Sequence, residues 1–309
     1  MSDRAVLVMA YGTPAGPAEI EAYYTHIRRG RPPTPELLED LRRRYDAIGQ
    51  SPLLAITNAQ VSALQTALER RGHPRTVALG MKHASPFIED AVLELAQVGA
   101  SEITGVVLAP HYSRMSVGEY TARAQAAAER APGSPTVTVV RSWHLAPGYL
   151  DFLAAALQDA IAQITAGARE RAHVLFTAHS LPERILGEGD PYPAQLLETA
   201  SALAERLGLE HWSVAWQSAG RTADPWIGPD VLDAMGELAA EGAPAVVVCS
   251  AGFVADHLEV LYDLDIEARE RAEELGIEFA RTASPNDDAG VMDSLAQVVL
   301  EQASADIPA

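Results

Sequence analysis

The side chains best suited to carry chemistry stand at the ends of two apolar runs. The first, Val174-Leu175-Phe176-Thr177-Ala178, stops at His179-Ser180-Leu181-Pro182-Glu183 and passes into the turn-rich Gly187-Glu188-Gly189-Asp190-Pro191-Tyr192. A short apolar, β-prone run bounded by turn residues reads as a buried strand, here one that delivers a histidine to its carboxyl end. The second run, Val246-Val247-Val248-Cys249, opens into Asp256-His257-Leu258-Glu259 and on to Asp263 and Glu267. These last three carboxylates recur every four residues. On a helix of 3.6 residues per turn each step drifts by about 40°, so all three fall on one face.

A histidine facing a row of acids suits a divalent cation, because imidazole and carboxylate oxygen both bind iron and its first-row neighbours. The same acidic spacing also describes a solvated helix face, which on spacing alone is the commoner case. A lone histidine is equally a core hydrogen-bonding residue. The two strand ends share one crevice only if the fold brings them together, and open α/β sheets do so, since ligands collect outside the carboxyl ends of their strands.

The rest of the chain has the pattern of such a sheet. Residues 5–10 form an apolar strand ending at Tyr11-Gly12-Thr13-Pro14, and further strands are expected at 76–81, 103–109 and 136–140. Helical periodicity fills the intervals at 17–29, 34–45, 57–70, 85–97 and 117–131, with Thr34-Pro35-Glu36 reading as N-cap, first-turn proline and early acid. The second half repeats the plan with strands at 174–177, 213–216 and 245–249, the last clear strand, and helices at 148–166, 192–208, from 230 onward and at 292–302. Strands alternating with helices of this length mean βαβ units and a mainly parallel sheet. The expected fold is α/β: two Rossmann-like, doubly wound domains related by approximate duplication, residues 1–145 and 146–309. The boundary between Trp143 and Gly148 is tight, and a closing helix at about 288–303 is expected to pack back on the first domain. No Gly-x-Gly-x-x-Gly and no P-loop lysine follows any strand, so the fold carries no nucleotide fingerprint.

Composition narrows the function classes. At 309 residues the chain exceeds one ordinary core. A net charge of -19 opposes a nucleic-acid partner, which requires a basic face. No apolar run approaches the ~18 residues of a membrane helix, and Met1-Ser2-Asp3-Arg4 has no signal-peptide layout, so a cytoplasmic protein without membrane insertion is expected. The single Cys249 excludes an internal disulfide and a cluster held by four thiolates of one chain, so no iron-sulfur cluster is expected.

Read in order, the motifs resemble the ferrochelatases, in particular the soluble coproporphyrin III enzymes of Gram-positive bacteria. The matching pieces are Met9-Ala10-Tyr11-Gly12-Thr13-Pro14, Tyr24-Thr25-His26-Ile27-Arg28-Arg29-Gly30, Arg44-Tyr45-Asp46-Ala47-Ile48-Gly49, Lys82-His83 with Pro86-Phe87-Ile88-Glu89-Asp90, Ala109-Pro110-His111-Tyr112-Ser113, the His179 stretch, Trp216-Gln217-Ser218 with Asp224-Pro225-Trp226, and Gly252-Phe253-Val254-Ala255-Asp256-His257-Leu258-Glu259. They span nearly the whole chain.

The resemblance implies a chelatase-type fold and an enzyme of haem biosynthesis that inserts ferrous iron into coproporphyrin III, giving Fe-coproporphyrin III (coproheme). Protoporphyrin IX is the alternative substrate. It implies that His179 and Glu259 form the inner metal site, with Asp263 and Glu267 as outer steps. It also implies that Tyr11 meets the opposite face of the macrocycle and ligates the product iron axially. Arg28, Arg44, Tyr45, Ser51 and Tyr120 match positions around the porphyrin edge, where a guanidinium pairs a propionate bidentately. Ferrous iron is then a substrate and no cofactor is held permanently. The expected protein is a monomer that meets neighbouring haem-pathway enzymes transiently. Ile48-Gly49-Gln50-Ser51 is one residue shorter than the usual family form, and no apolar lip follows Tyr11, which favours coproporphyrin. Other readings are a cobalt or sirohydrochlorin chelatase, against which the His179 and Tyr11 stretches speak, a non-catalytic tetrapyrrole carrier, and a metal-dependent hydrolase, for which no zinc-hydrolase spacing appears.

Overall fold

Runs of small and β-branched apolar residues buried on both faces make parallel strands that helices cover on either side. In the computed structural model, which describes residues 3–222 and 224–305, eight strands form two sheets, the central strands of each buried in this way. The outermost ends of the two expected domains, residues 1–2 and 306–309, lie outside the described residues, as does Ala223. Strands β1 (Arg4–Ala10), β2 (Thr76–Met81), β3 (Glu102–Val107) and β4 (Thr136–Val139) pair in the order β2-β1-β3-β4. Strands β5 (His173–His179), β6 (Trp212–Gln217), β7 (Ala245–Cys249) and β8 (Glu278–Arg281) pair in the order β6-β5-β7-β8. All neighbours are parallel. The second sheet therefore repeats the first strand for strand.

In each sheet the first strand of the sequence sits between the second and the third, so connections leave it in opposite directions. That reversal opens a crevice at the carboxyl ends of β1 and β3 and of β5 and β7. Tyr11 follows β1 directly and His179 is the last residue of β5.

Three departures from the sequence expectation bear on the sheets and the elements packed on them. β5 runs on through Ala178 to His179, whose Cα pairs with Gln217, so the histidine stands on the sheet and not in the loop after it. β8 was not expected: Glu278-Phe279-Ala280-Arg281 is short and charged at both ends, but as an edge strand pairing with β7 alone it needs no second apolar face. The helix expected over 148–166 is Pro147–Gln163, and Thr165 leaves it to bind Glu278 through its backbone N–H at 2.8 Å and its hydroxyl at 2.5 Å. The chain then makes a separate turn at Ala166–Arg169.

The largest apolar cluster runs through both halves, joining Val6, Leu64 and Trp143 to Phe176, Val247 and Leu295. The closing helix Ala289–Ala305 crosses between them. Its Asp293 pairs with Arg71 at 2.7 Å and Arg70 at 3.2 Å of the helix Leu53–Arg70 and its end, and its Ser294 hydroxyl accepts the Gly148 N–H at 3.1 Å. Among the described residues no helix is long and apolar enough to cross a membrane.

Gly148 lets the helices Pro147–Gln163 and Ala289–Ala305 approach backbone to backbone: a methyl group there would stand 2.5 Å from the Gly290 carbonyl oxygen. Gly148→Ala is expected to cost about 1–3 kcal/mol through overpacking, read as a lower midpoint in thermal or urea denaturation. Gly167→Ala, in the helical turn Ala166–Arg169 with nothing within 4 Å of the added carbon, is expected to raise the midpoint slightly, since alanine has less backbone freedom to lose.

Candidate functional site

His179 is fixed from three sides. Its Nδ1–H donates to the Ser180 carbonyl at 2.5 Å, Tyr192 Oη donates to its own carbonyl at 3.0 Å, and the buried Ser180 hydroxyl donates to the Ile227 carbonyl at 2.7 Å. With Nδ1 committed as a donor, Nε2 is the nitrogen left to face the cleft. It points across the cleft at Glu259, with Nε2 3.6 Å from Oε2.

Glu259 lies in the short helical segment Leu258–Leu261. Its carbonyl accepts from Gln217 Nε2 at 3.1 Å, and Gln217 Oε1 in turn accepts from the Thr177 hydroxyl at 2.6 Å. β5 and β6 thus hold the backbone of the residue whose side chain meets His179. His257 stands on the other side, its Nδ1–H on the Ala255 carbonyl at 2.8 Å and its Nε2 3.8 Å from Glu259 Oε2. Burial alone would raise the Glu259 pKa. The charge of His179, the hydrogen bond and charge of His257 and the charge of Arg44 outweigh it and hold the carboxyl below its usual range. For His257 the balance is reciprocal: burial would lower it, and Glu259 keeps it raised.

The acidic row does not continue as the single α-helix that the spacing predicts. Asp263–Ala268 is a π-helix, followed by the helix Arg269–Leu275, and the Glu267 N–H reaches back five residues to the Tyr262 carbonyl at 3.0 Å. A four-residue step overshoots a 3.6-residue turn and undershoots the wider π turn, so the two drifts oppose each other and the row runs straighter.

The row lines a cavity of about 350 Å³ with Arg44, Asp40 and Ser218. Asp263 Oδ2 accepts from the Ser218 hydroxyl at 2.5 Å, and Ser218 adopts the left-handed conformation, φ 58°, to present it. Arg44 reaches Asp263 at 3.3 Å, Glu267 at 3.4 Å and Asp40 at 3.1 Å, with its guanidinium carbon 4.6 Å from the Tyr262 ring centre. Burial pushes the Asp263 carboxyl up to about 7; the Ser218 hydrogen bond and Arg44 lower it, and the charges of Glu259 and Glu267 raise it. Glu267 is likewise raised by burial, against the pull of Arg44.

The opposite wall carries tyrosines. Tyr11, at the carboxyl end of β1, is 44% exposed, and partial desolvation by the surrounding wall, followed by the charge of Glu259, raises its phenol above the ordinary value. Tyr45 is buried with its hydroxyl 3.3 Å from that of Thr13, and burial pushes it up to about 12. Tyr120 is buried beneath the Lys82 ammonium, 5.3 Å from its ring centre. Next to Tyr11 stands His83, which burial, Lys82, His26 and Arg123 push down to about 3.

The structure thus brings His179, Glu259, Asp263 and Glu267 into one row and sets Tyr11 within electrostatic reach of it. Arg44, which the resemblance places at a porphyrin edge, is engaged by two carboxylates of the row, Asp263 and Glu267, and by Asp40. Arg28 lies at the end of the helix Ile20–Ile27, 5.7 Å over the Tyr24 ring, and the Ser51 hydroxyl accepts the Leu53 N–H at 3.4 Å. Sequence reasoning missed Asp40, His257 and the tether through Thr177. Only Asp40, four residues before Arg44 on the helix Pro35–Ala47, left a readable spacing. Among the described residues no group of three or more His, Cys, Asp or Glu is arranged to hold a metal ion, so the inner pair supplies two donors.

The chain matches the family model described as Ferrochelatase over residues 3–303. A coproporphyrin III ferrochelatase of Geobacillus sp. (strain WCH70) is 46% identical over 301 residues, covering 96% of this chain and 97% of the relative. A relative in Bacillus pumilus with the same designation is 45% identical, covering 96% of each chain, and one in Herpetosiphon aurantiacus designated ferrochelatase is 44% identical, covering 96% and 98%. Among solved structures, SirB from Bacillus subtilis with Fe3+ superimposes with a TM-score of 0.58 at 14% identity, covering 97% of this chain and 96% of that one. That likeness carries the two-sheet chelatase fold.

With its pKa up at about 7, against about 4 in an unfolded chain, Asp263 holds a proton in the folded state that the unfolded state has lost. The stability this proton supplies is full below about pH 4 and gone as pH rises through 7. Asp263→Asn, which cannot ionise, is expected to raise the melting temperature at pH 8, with the gain shrinking to nothing near pH 4. A pH series of thermal unfolding on the metal-free protein checks this, and a gain independent of pH refutes it.

Proposed function

The chain belongs to the ferrochelatase family, and from that premise we propose that it inserts ferrous iron into coproporphyrin III to form Fe-coproporphyrin III, a step of haem biosynthesis. The observation that carries the reading is His179 Nε2 held 3.6 Å from Glu259 Oε2 at the end of a row of acids of which Asp263 is buried and the others half-buried.

The reaction exchanges two pyrrolic protons for one hydrated cation, so a site must strip water from the metal and take protons from the ring. Glu259, kept ionised by its neighbours, offers charge to a cation losing its hydration shell. His179 Nε2 serves as ligand and as acceptor for a leaving proton, the general-base role for which imidazole is suited. Asp263 and Glu267 are the outer steps, binding iron on its way in or carrying protons out; an acid that titrates near neutrality both accepts and releases a proton at little cost. Arg44 balances the charge of this row. Tyr11, on the facing wall, meets the other side of the macrocycle and ligates iron in the product. Arg28, Tyr45, Ser51 and Tyr120 lie around the edge and take up its carboxylates. Iron is substrate, no cofactor is held permanently, and the enzyme works as a cytoplasmic monomer that meets its pathway neighbours transiently.

Anaerobic turnover with ferrous iron, following the absorption spectra of coproporphyrin III and protoporphyrin IX side by side, tests the substrate. Strong preference for coproporphyrin III is the expected result; equal or reversed preference moves the enzyme to protoporphyrin, and insertion into neither leaves a carrier. His179→Ala is expected to lower insertion by at least about 100-fold, the usual worth of a general base, while coproporphyrin III still quenches protein fluorescence on binding. Normal turnover in this variant removes His179 from the site.

A further inference from the structure

Four aromatic rings from four parts of the chain form a ladder behind the Tyr11 wall of the cleft. Tyr11 lies 4.6 Å from His83, His83 5.1 Å from His26, and His26 5.3 Å from Phe87, centre to centre. His26 comes from the helix Ile20–Ile27, His83 from the turn after β2, and Phe87 caps the helix Ile88–Gln97. The two histidines are also hydrogen-bonded, Nδ1 to Nδ1 at 2.9 Å, so one ring donates and the other accepts.

Backbone contacts grip the same spot. The His83 N–H donates to the Tyr11 carbonyl at 2.9 Å and the Lys82 N–H to the Ala10 carbonyl at 2.8 Å. Gly12 takes φ +94°, where a Cβ would stand 2.9 Å from Ala84 Cβ, and its carbonyl accepts from Tyr23 Oη at 3.0 Å. Arg123 locks the turn by donating to the Lys82 carbonyl at 2.6 Å while pairing both Glu89 oxygens at 2.8 and 2.7 Å. Tyr11 is therefore anchored at its backbone, and among the described residues the one aromatic ring in contact with its own is His83.

We propose that His83, set by its hydrogen bond to His26, is the positioning residue for Tyr11, fixing the angle at which the phenol meets the macrocycle and hence its axial bond to product iron. This rests on the reading of Tyr11 given above. The physical ground is orientation: a ligand side chain free to rotate about χ1 and χ2 must be frozen when it binds, whereas a braced one is already in place. His83 does not touch iron. It acts through Tyr11, and His26 acts through His83.

The test uses the purified full-length protein with ferric coproporphyrin III as probe, reading the visible spectrum of the complex and the dissociation rate of the probe, with iron-free coproporphyrin III affinity as a parallel measurement. Tyr11→Phe defines the spectrum without the phenol ligand. His83→Ala is expected to shift the spectrum toward that of Tyr11→Phe and speed release about tenfold, with iron-free affinity within about twofold of wild type. His26→Ala, at an exposed position, shifts both readouts in the same direction and serves if His83→Ala does not fold. His83→Asn, which keeps a hydrogen bond to His26, recovers part of the wild-type spectrum. An unaltered spectrum in both His83→Ala and His26→Ala overturns the proposal, as does an equal loss of iron-free affinity, which marks general damage to the wall. If Tyr11→Phe leaves the spectrum unaltered, the axial role of Tyr11 fails and this proposal fails with it.

Discussion

The ionised carboxylate of Glu259 is the group on which the rest of the site depends. A charge withdrawn from water in this way is tolerated only when opposite charge and hydrogen-bond donors replace the lost solvent. Here two imidazoles approach the same oxygen, at 3.6 and 3.8 Å, each with its Nδ1 already spent on a backbone carbonyl. That commitment turns both Nε2 atoms toward the acid. For His179 the strand terminus supplies a fixed backbone and a carbonyl one residue on to hold the far side of the ring.

Around this pair the acids are graded by environment. Glu259 is held below the usual carboxylate range, Asp263 stands near neutrality and Glu267 is raised. Three like charges in a row cannot all ionise cheaply, and Arg44 bridges the two outer members without reaching the inner one. The row therefore runs from a carboxyl held low beside His179 to carboxyls held above their ordinary range. The π-helix keeps these steps aligned, and Ser218 accepts an uncommon backbone conformation to orient the middle one.

Much of this was legible in the chain. The apolar runs ending at Tyr11 and His179 gave the strands and the histidine, because burial on both faces leaves a continuous signal. The four-residue spacing of Glu259, Asp263 and Glu267 gave the row. The π turn stayed hidden, since side-chain spacing alone does not distinguish a wide turn from a drifting α-helix. β8 stayed hidden because an edge strand needs so little apolar sequence. The partners of Arg44 were unreadable for another reason: Asp263 and Glu267 are more than 200 positions away, and only the folding of one half onto the other brings them to it.

The apolar cluster common to both sheets bears on how any large flat molecule enters the cleft. Enzymes whose halves are joined by a slender hinge admit a ligand by swinging apart. Here such a swing would expose Val6, Trp143, Phe176 and Leu295 to water together, and the helix Ala289–Ala305 is fastened to both sides. Opening by such a swing is therefore costly. A slot held in this way selects a guest by its thickness and by the shape of its rim, and bending falls to whichever partner is softer.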